Sequence, residues 1–495
     1  MTALWSAEAM AAAMRARVER DQGKWEPVSR SVARPDKEST AQSISGISID
    51  SRTLGPGDAF FAIAGDNRDG HDFVEAALTA GAALAVVAAD KRNSLPANGS
   101  YLVVDDVLEG LRELAKAARA RTDAKIIGVT GSVGKTSTKE ALHLVLSREG
   151  KTHASAASYN NHWGVPLSLA RCPQDARFAV FEMGMNHSGE IGPLSQLVQP
   201  HIAIITTVAP VHLEYFKSVG EIADAKAEIF EGLQPGGAAI LNRDNDLFAR
   251  LSVRAQAAQV GRIVAFGEHA DADARLIDCA LQPASSTVRA SILGEPVTYK
   301  LGAPGRHLVL NSLAVLAAAK LAGADLAIAA LALAELKPAS GRGTRIDLHV
   351  PGGSALLIDE SYNANPVSMR AALDLLGQAA LGPRGRRIAV LGDMLELGAE
   401  AEELHRALVE PVIANDVDLV FCSGPAMRNL WQALPSDRRG GYAEDSKGLE
   451  PQVLDAVRSG DAIMIKGSNG SKMAPIVKAL QRSFAPAAAR EATSA

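Results

Sequence analysis

Three features of the sequence predict an α/β protein built from three domains. The chain is 495 residues long, more than one hydrophobic core serves well, so two to four domains are expected. Short apolar runs of strand length alternate with helical patterns in two separate stretches, the arrangement that yields mostly parallel sheets with helices packed on them. A turn-rich segment, PASGRG at 338–343, lies between those stretches.

Taken in order, the elements divide the chain at 123/124 and 338/339. Residues 1–123 open with a helical pattern, pass through a polar stretch at 29–43, and then alternate short apolar runs with glycine-rich turns over 44–87, as a small α/β domain does. A helical pattern at 107–121 leads to an apolar run, KIIGVT at 125–130, which begins the second domain. There, strands are expected at 178–181, 201–208, 238–241 and 263–266, and helices at 136–147, 221–231 and across the Ala/Leu-rich 310–336. The last domain, 339–495, repeats the alternation with strands at 355–358, 388–391, 419–422 and 463–465, and its Ala-rich tail, 484–495, is expected to fray.

Composition is that of an ordinary globular chain, with 47% hydrophobic and 22% charged residues. A formal charge of −5 gives no general attraction to nucleic acid or to acidic membranes, so any anionic ligand needs a local site. Cys172, Cys279 and Cys422 have neither a disulfide framework's even count nor metal-ligand spacing, which fits a reducing cytoplasm. No run of apolar residues approaches a membrane span and no signal-peptide pattern opens the chain, so no membrane insertion is expected.

The apolar run at 125–130 opens onto Gly131, Ser132, Val133, Gly134, Lys135, Thr136 and Ser137, with a helix expected next. Backbone N–H groups of such a loop cradle phosphate oxygens, a lysine reaches the terminal phosphates, and a hydroxyl ligates Mg²⁺. The strict G-x-x-x-x-G-K-[ST] pattern is not met, because Val129 stands where its first glycine belongs. This is a variant loop for a nucleoside triphosphate such as ATP. It makes the central unit a P-loop mononucleotide-binding parallel-sheet domain, followed by a C-terminal doubly wound, Rossmann-like one.

Ligands of open α/β sheets bind beyond the carboxyl ends of the strands. Glu182 follows the run FAVF at 178–181 and His212 lies just past the strand expected at 201–208, so both face the loop's crevice. A carboxylate and a neutral imidazole can hold Mg²⁺ beside Thr136, although histidine is an unusual ligand for so hard an ion. Lys226 shares a helical face with Ile222, Ile229 and Phe230. A buried ammonium costs several kcal/mol unless it is paired. Snorkelling, deprotonation, a carboxylate partner or covalent modification would each relieve it, and a neutral amine can take up CO₂ to become a metal-bridging carbamate.

Several motifs together resemble the Mur ligases of peptidoglycan precursor synthesis: GVTGSVGKTSTK at 128–139, FEMGMNH at 181–187, the segment around His212, ADAKAEI at 223–229 and DESYNANP at 359–366. The resemblance covers nearly the whole chain. YNNHWGVP at 159–166, EMGMNH at 182–187, YNANP at 362–366 and LGDMLELG at 391–398 resemble in particular the branch that adds D-alanyl-D-alanine to UDP-N-acetylmuramoyl-tripeptide.

That resemblance implies an ATP-dependent ligase working through an acyl phosphate, which an amine attacks to give the amide. It implies that Lys135 stabilises the transferring phosphoryl group, that Thr136 and Glu182 hold one Mg²⁺, and that His212 and a carbamylated Lys226 serve a second. It points for ATP to Asn311 in GRHLVLN (305–311), to Arg342 with Arg345 as its rival, and to Asp359 and Glu360 near the ribose, where Glu360 departs from the family's usual aspartate. For the UDP substrate it points to Ser51, Arg52 and Thr53, to Asp69, Gly70 and His71, and to Asn160 and Asn161. A cytoplasmic monomer is implied as well. The competing expectations are a related Mur-type or folylpolyglutamate-type ligase and, in a different class, a P-loop ATPase or nucleotide-binding regulator.

Overall fold

The computed structural model describes residues 3–19, 42–65, 68–156 and 158–486. The tail expected to fray lies largely outside these residues, as does most of the polar stretch at 29–43. Among the described residues no helix is long and apolar enough to cross a membrane.

Among the described residues of the N-terminal part seven short strands occur: β1 (Trp5–Ser6), β2 (Arg17–Glu19), β3 (Ser43–Ile44), β4 (Ile47–Ser48), β5 (Ala59–Phe61), β6 (Leu84–Ala88) and β7 (Tyr101–Val104). β1 pairs with β3, and the other five form a sheet in the order β2-β7-β6-β5-β4, parallel except for β2. The helix expected over 107–121 is present at Val107–Ala120, started by Asp106, whose side chain accepts from the Glu109 N–H.

The central sheet has nine strands: β8 (Lys125–Thr130), β9 (Thr152–Ala154), β10 (Phe178–Glu182), β11 (Ile202–Ile205), β12 (Ala238–Asn242), β13 (Arg262–Gly267), β14 (Ala274–Leu281), β15 (Ser286–Ile292) and β16 (Glu295–Leu301). Their order is β16-β15-β14-β13-β12-β11-β8-β10-β9, so β8, which carries the glycine loop, sits between β10 and β11. The ends of β10 and β11 therefore flank the loop, where Glu182 and the His212 segment were expected.

Several expectations need correction. The strand foreseen over 201–208 is only Ile202–Ile205, because the residues after it turn to bond the glycine loop. The helix foreseen over 221–231 runs Val219–Ala227 and tightens to a 3₁₀ turn at Glu228–Gly232. The stretch 310–336 is two helices, Arg306–Leu321 and Leu326–Ala332, parted at Gly323 (φ 85°), which suits glycine. The antiparallel ladder β14-β15-β16 was not foreseen.

The C-terminal sheet comprises β17 (Thr344–Val350), β18 (Gly353–Glu360), β19 (Arg387–Gly392), β20 (Leu419–Ser423), β21 (Arg439–Ala443) and β22 (Ala462–Lys466), in the order β17-β18-β22-β19-β20-β21. Only the edge strand β17 is antiparallel. Apolar clusters cover both its faces, as in a doubly wound sheet. The N-terminal and central sheets differ in one respect: a single cluster runs from Met10, Leu111 and Leu114 through Val165, Leu169 and Ile191. Trp5 strengthens that junction by donating to the Ala170 carbonyl at 2.9 Å beneath the Arg121 guanidinium.

Candidate active site

The glycine loop is closed by contacts that leave no room for side chains. A Cβ on Gly131 (φ 148°) would stand 2.0 Å from Thr206 Oγ1, and one on Gly134 (φ 87°) would stand 2.6 Å from Asn311 Nδ2. Ser132 donates its N–H to Thr207 O at 2.9 Å and its hydroxyl to Ala209 O at 3.1 Å, while Thr206 Oγ1 donates to Val133 O. Loop and β11 end are thus one framework. The helix Lys135–Leu146 follows, aiming its free N–H groups at the loop.

The loop opens into a cavity of about 510 Å³ lined by residues of the central and C-terminal domains. Among the predicted residues, Ser132, Val133, Gly134, Lys135, Thr136, Ser137, Asn160, Glu182, His212, Asn311, Arg342 and Glu360 all reach it. Glu182, at the end of β10 and buried, accepts from Thr136 Oγ1 at 2.8 Å and from Asn160 Nδ2 at 2.8 Å. Lys135 donates to Gly131 O at 2.7 Å, and removal from water pulls its pKa down, against the opposing pull of Glu182. Arg342 stacks over the Tyr362 ring at 4.1 Å and lies 3.5 Å from Ser158 Oγ. The rival Arg345 sits on β17 and does not reach the cavity.

Other expected residues lie elsewhere. Asp359 turns back to accept from Ser361 N and Oγ at 3.0 and 2.6 Å, so Glu360 alone of that pair faces the cavity. Asn161 accepts the Gly164 N–H at 2.9 Å, just ahead of the helix Gly164–Ala170. Ser51, Arg52 and Thr53 on an N-terminal turn, and Asp69, Gly70 and His71 at the start of the 3₁₀ helix Gly70–Phe73, stand outside the cavity lining. There Arg52 grips Asp50 at 2.9 and 2.7 Å and holds that carboxyl down to about 2. His71 Nδ1 meets Asp69 at 2.6 Å while its Nε2 accepts the Ala88 N–H, which fixes the tautomer.

Lys226 is buried at 2% exposure, and no carboxylate stands among the groups that influence its amine. Burial, with the nearby Lys135 charge, holds its pKa well below the ordinary lysine value. Two residues on, the Glu228 carboxylate accepts from Ser188 Oγ and from the N–H groups of Gly189, Ile191 and Gly192 at 2.7–3.2 Å. It thereby anchors the loop that follows Glu182.

Among the described residues no three of His, Cys, Asp and Glu form a metal cage. Thr136 and Glu182 nevertheless bring a hydroxyl and a carboxylate together at the head of the phosphate loop. These are the hard oxygen donors that suit Mg²⁺ when phosphate and water complete its shell. His212 commits Nδ1 to Glu396 Oε2 of the C-terminal domain at 2.5 Å.

Sequence reasoning missed four residues. Glu228, Tyr362 and Glu396 stood inside quoted motifs without a role. Lys466, at the end of β22, lines the cavity and donates to Glu360 Oε2 at 3.1 Å and Asn363 O at 3.0 Å. The strand-end rule that picked Glu182 would have picked Lys466.

A P-loop on a parallel sheet, facing a second doubly wound domain across a shared cavity, defines a nucleotide-dependent enzyme of the three-domain ligase type. Family models agree along the chain: "Mur ligase family, catalytic domain" matches residues 43–119, "Mur ligase middle domain" 129–319, and "Mur ligase, glutamate ligase domain" 342–469. The chain belongs to the Mur ligase family. It is 32% identical to the UDP-N-acetylmuramoyl-tripeptide–D-alanyl-D-alanine ligase of Rickettsia prowazekii, over 92% of this chain and 99% of that one. It is 34% identical to the enzyme of the same name from Escherichia coli, over 88% and 94%. Among solved structures it resembles MurF from Acinetobacter baumannii, with a TM-score of 0.79 and 29% identity over 96% of this chain and 98% of that one. MurF ligase from Thermotoga maritima in complex with ADP gives 0.72 and 25%, over 89% and 97%.

Proposed function

We propose that this chain joins D-alanyl-D-alanine to UDP-N-acetylmuramoyl-tripeptide with ATP as the energy source, in peptidoglycan precursor synthesis. The observation that carries the proposal is the joining of Thr136, Glu182 and Asn160 at the phosphate loop, within a chain similar over nearly its full length to ligases of that name. We assign residues 1–123 to the UDP end of the substrate, 124–338 to ATP, and 339–495 to closing the site. The three free cysteines fit a cytoplasmic location.

In the first step a tripeptide carboxylate oxygen bonds to the γ-phosphorus as the bond to ADP breaks, giving an acyl phosphate. The amine of D-alanyl-D-alanine then attacks the acyl carbon, loses a proton, and expels phosphate as the amide forms. Lys135 neutralises charge on the transferring group, and the loop N–H groups orient it. Thr136 and Glu182 would hold Mg²⁺, which supplies charge stabilisation on the phosphate oxygens. Asn311, Arg342 and Glu360 are assigned to the nucleotide, the last braced by Lys466. Ser51–Thr53, Asp69–His71 and Asn161 are assigned to the UDP substrate, and Asn160 acts through Glu182.

Lys226 fits a carbamate. Its amine is buried without a counter-charge and is driven toward the neutral form that adds to CO₂. The resulting anion, with His212, would serve a second Mg²⁺.

The test is phosphate release by purified protein with Mg-ATP, UDP-N-acetylmuramoyl-tripeptide and D-alanyl-D-alanine, each omitted in turn. Turnover that requires all three is expected. Turnover indifferent to either acceptor would return the chain to the ATPase reading.

A further inference from the structure

We propose that Glu396 is a positioning residue for His212, so that seating of the C-terminal domain completes the catalytic pocket in the central one. The inference rests on the ligase reading above. The two side chains meet at 2.5 Å, Nδ1 to Oε2, although 184 residues separate them and they belong to different domains. Beside that contact the Glu214 N–H donates to Glu396 O at 3.2 Å, and Gly398 lies against the Glu214 backbone.

Each loop is held by contacts within its own domain. On the C-terminal side, Met394 and Leu397 are buried, Met394 N–H donates to His405 Nε2 at 3.0 Å, and Leu395 N–H donates to Ser468 Oγ at 2.9 Å. On the central side, Val211 and Phe216 are buried and Ala209 N–H is held by Ser132 Oγ at 2.9 Å. At the tips, His212 (φ 55°) and Glu396 (φ 62°) both occupy the left-handed region without being glycine. Such a conformation is unfavourable for a residue with a side chain. Two side chains held this way and facing each other across a domain boundary point to a contact kept for what it does.

The chemistry of the pair gives it a task. With Nδ1–H donated to a carboxylate, the lone pair of the imidazole resides on Nε2, and the ring turns no further. His212 lines the cavity, so this fixed tautomer is what the site receives. Without the carboxylate both tautomers and other ring orientations open up. The pair is part-solvated, with side-chain exposures of 24% and 39%, so its contribution to stability is small and its removal registers in turnover.

Glu396→Ala, Glu396→Gln and Glu396→Asp separate this role from a structural one. The expected result for Glu396→Ala is a kcat about tenfold lower or more, the range of a lost partner behind a site histidine, with KM for ATP little changed. Glu396→Gln, which still accepts the Nδ1–H, recovers much of the loss, and Glu396→Asp, too short, recovers less. In His212→Gln the Glu396→Ala change adds nothing. Hydrogen exchange at 211–216 in protein without substrate rises in Glu396→Ala, a reading that does not depend on the reaction. A wild-type kcat in Glu396→Ala, equal losses in the Ala and Gln variants, additive effects in the double variant, or unchanged exchange at 211–216 would each overturn the proposal. Absence of acceptor-dependent turnover in the wild-type protein would count instead against the ligase reading, and the exchange measurement would still judge the contact.

Discussion

Thr136 and Glu182 share a hydrogen bond of 2.8 Å across 46 residues of sequence, because β8 and β10 are neighbours and both end at the phosphate loop. The carboxylate has a second donor in Asn160, so both of its oxygens are held before any ligand arrives. Replacing Glu182 by Gln keeps the shape and removes the charge. Acceptor-dependent phosphate release should fall by roughly 100-fold or more, while the thermal midpoint stays near that of the wild type.

Gly134→Ala tests the loop itself. The added methyl meets Asn311 at 2.6 Å in a backbone conformation that alanine avoids, so both the loop and the asparagine must shift. Calorimetric titration with a non-hydrolysable ATP analogue should show binding weakened by about tenfold or more, equivalent to about 1.4 kcal/mol.

The carbamate proposed at Lys226 would have its own signature. Wild-type protein equilibrated with ¹³C-bicarbonate should give a carbamate carbon resonance that Lys226→Met lacks. The signal should fade as pH is lowered, because protonation of the depressed amine competes with CO₂ addition. Its absence at alkaline pH would remove the modification from the mechanism.

Glu228→Ala strips four donors, three of them backbone N–H groups, of their acceptor. A loss of roughly 3 kcal/mol in urea unfolding is expected, with Glu228→Gln losing less because its amide oxygen still accepts.

His153 carries a pH dependence of known sign. Burial pulls its pKa from 6.5 to about 4, although its ring nitrogen contacts Ser168 O at 2.7 Å. The unfolded chain takes up a proton below 6.5 that the folded chain refuses until about 4, so stability present at neutral pH is lost as pH falls between those values. The expected loss by pH 5 is about 2 kcal/mol, read as the part of the urea-midpoint shift that His153→Gln abolishes.

Much of this was legible in the sequence for local reasons. The strand, glycine loop and helix at 125–146 are contiguous, and Glu182 was found because a parallel sheet delivers polar residues at strand ends. The ladder β14-β15-β16 escaped because its strands alternate buried and exposed positions and carry charge on the open side, so no continuous apolar run marks them. The choice between Arg342 and Arg345 turned on the strand beginning at Thr344, which aligns the second arginine with a sheet rather than the cavity. Nothing local could join His212 to Glu396, since that contact exists only when two domains dock.

The apolar cluster that runs unbroken from the first sheet into the second joins the N-terminal and central domains through one shared core. The last third keeps its own cores and hangs on the segment around Gly341 and Gly343, both left-handed. Three domains by architecture thus meet in one shared core and one separate pair of cores. A hinge between the shared core and the last third would fall at that segment, where two left-handed glycines meet.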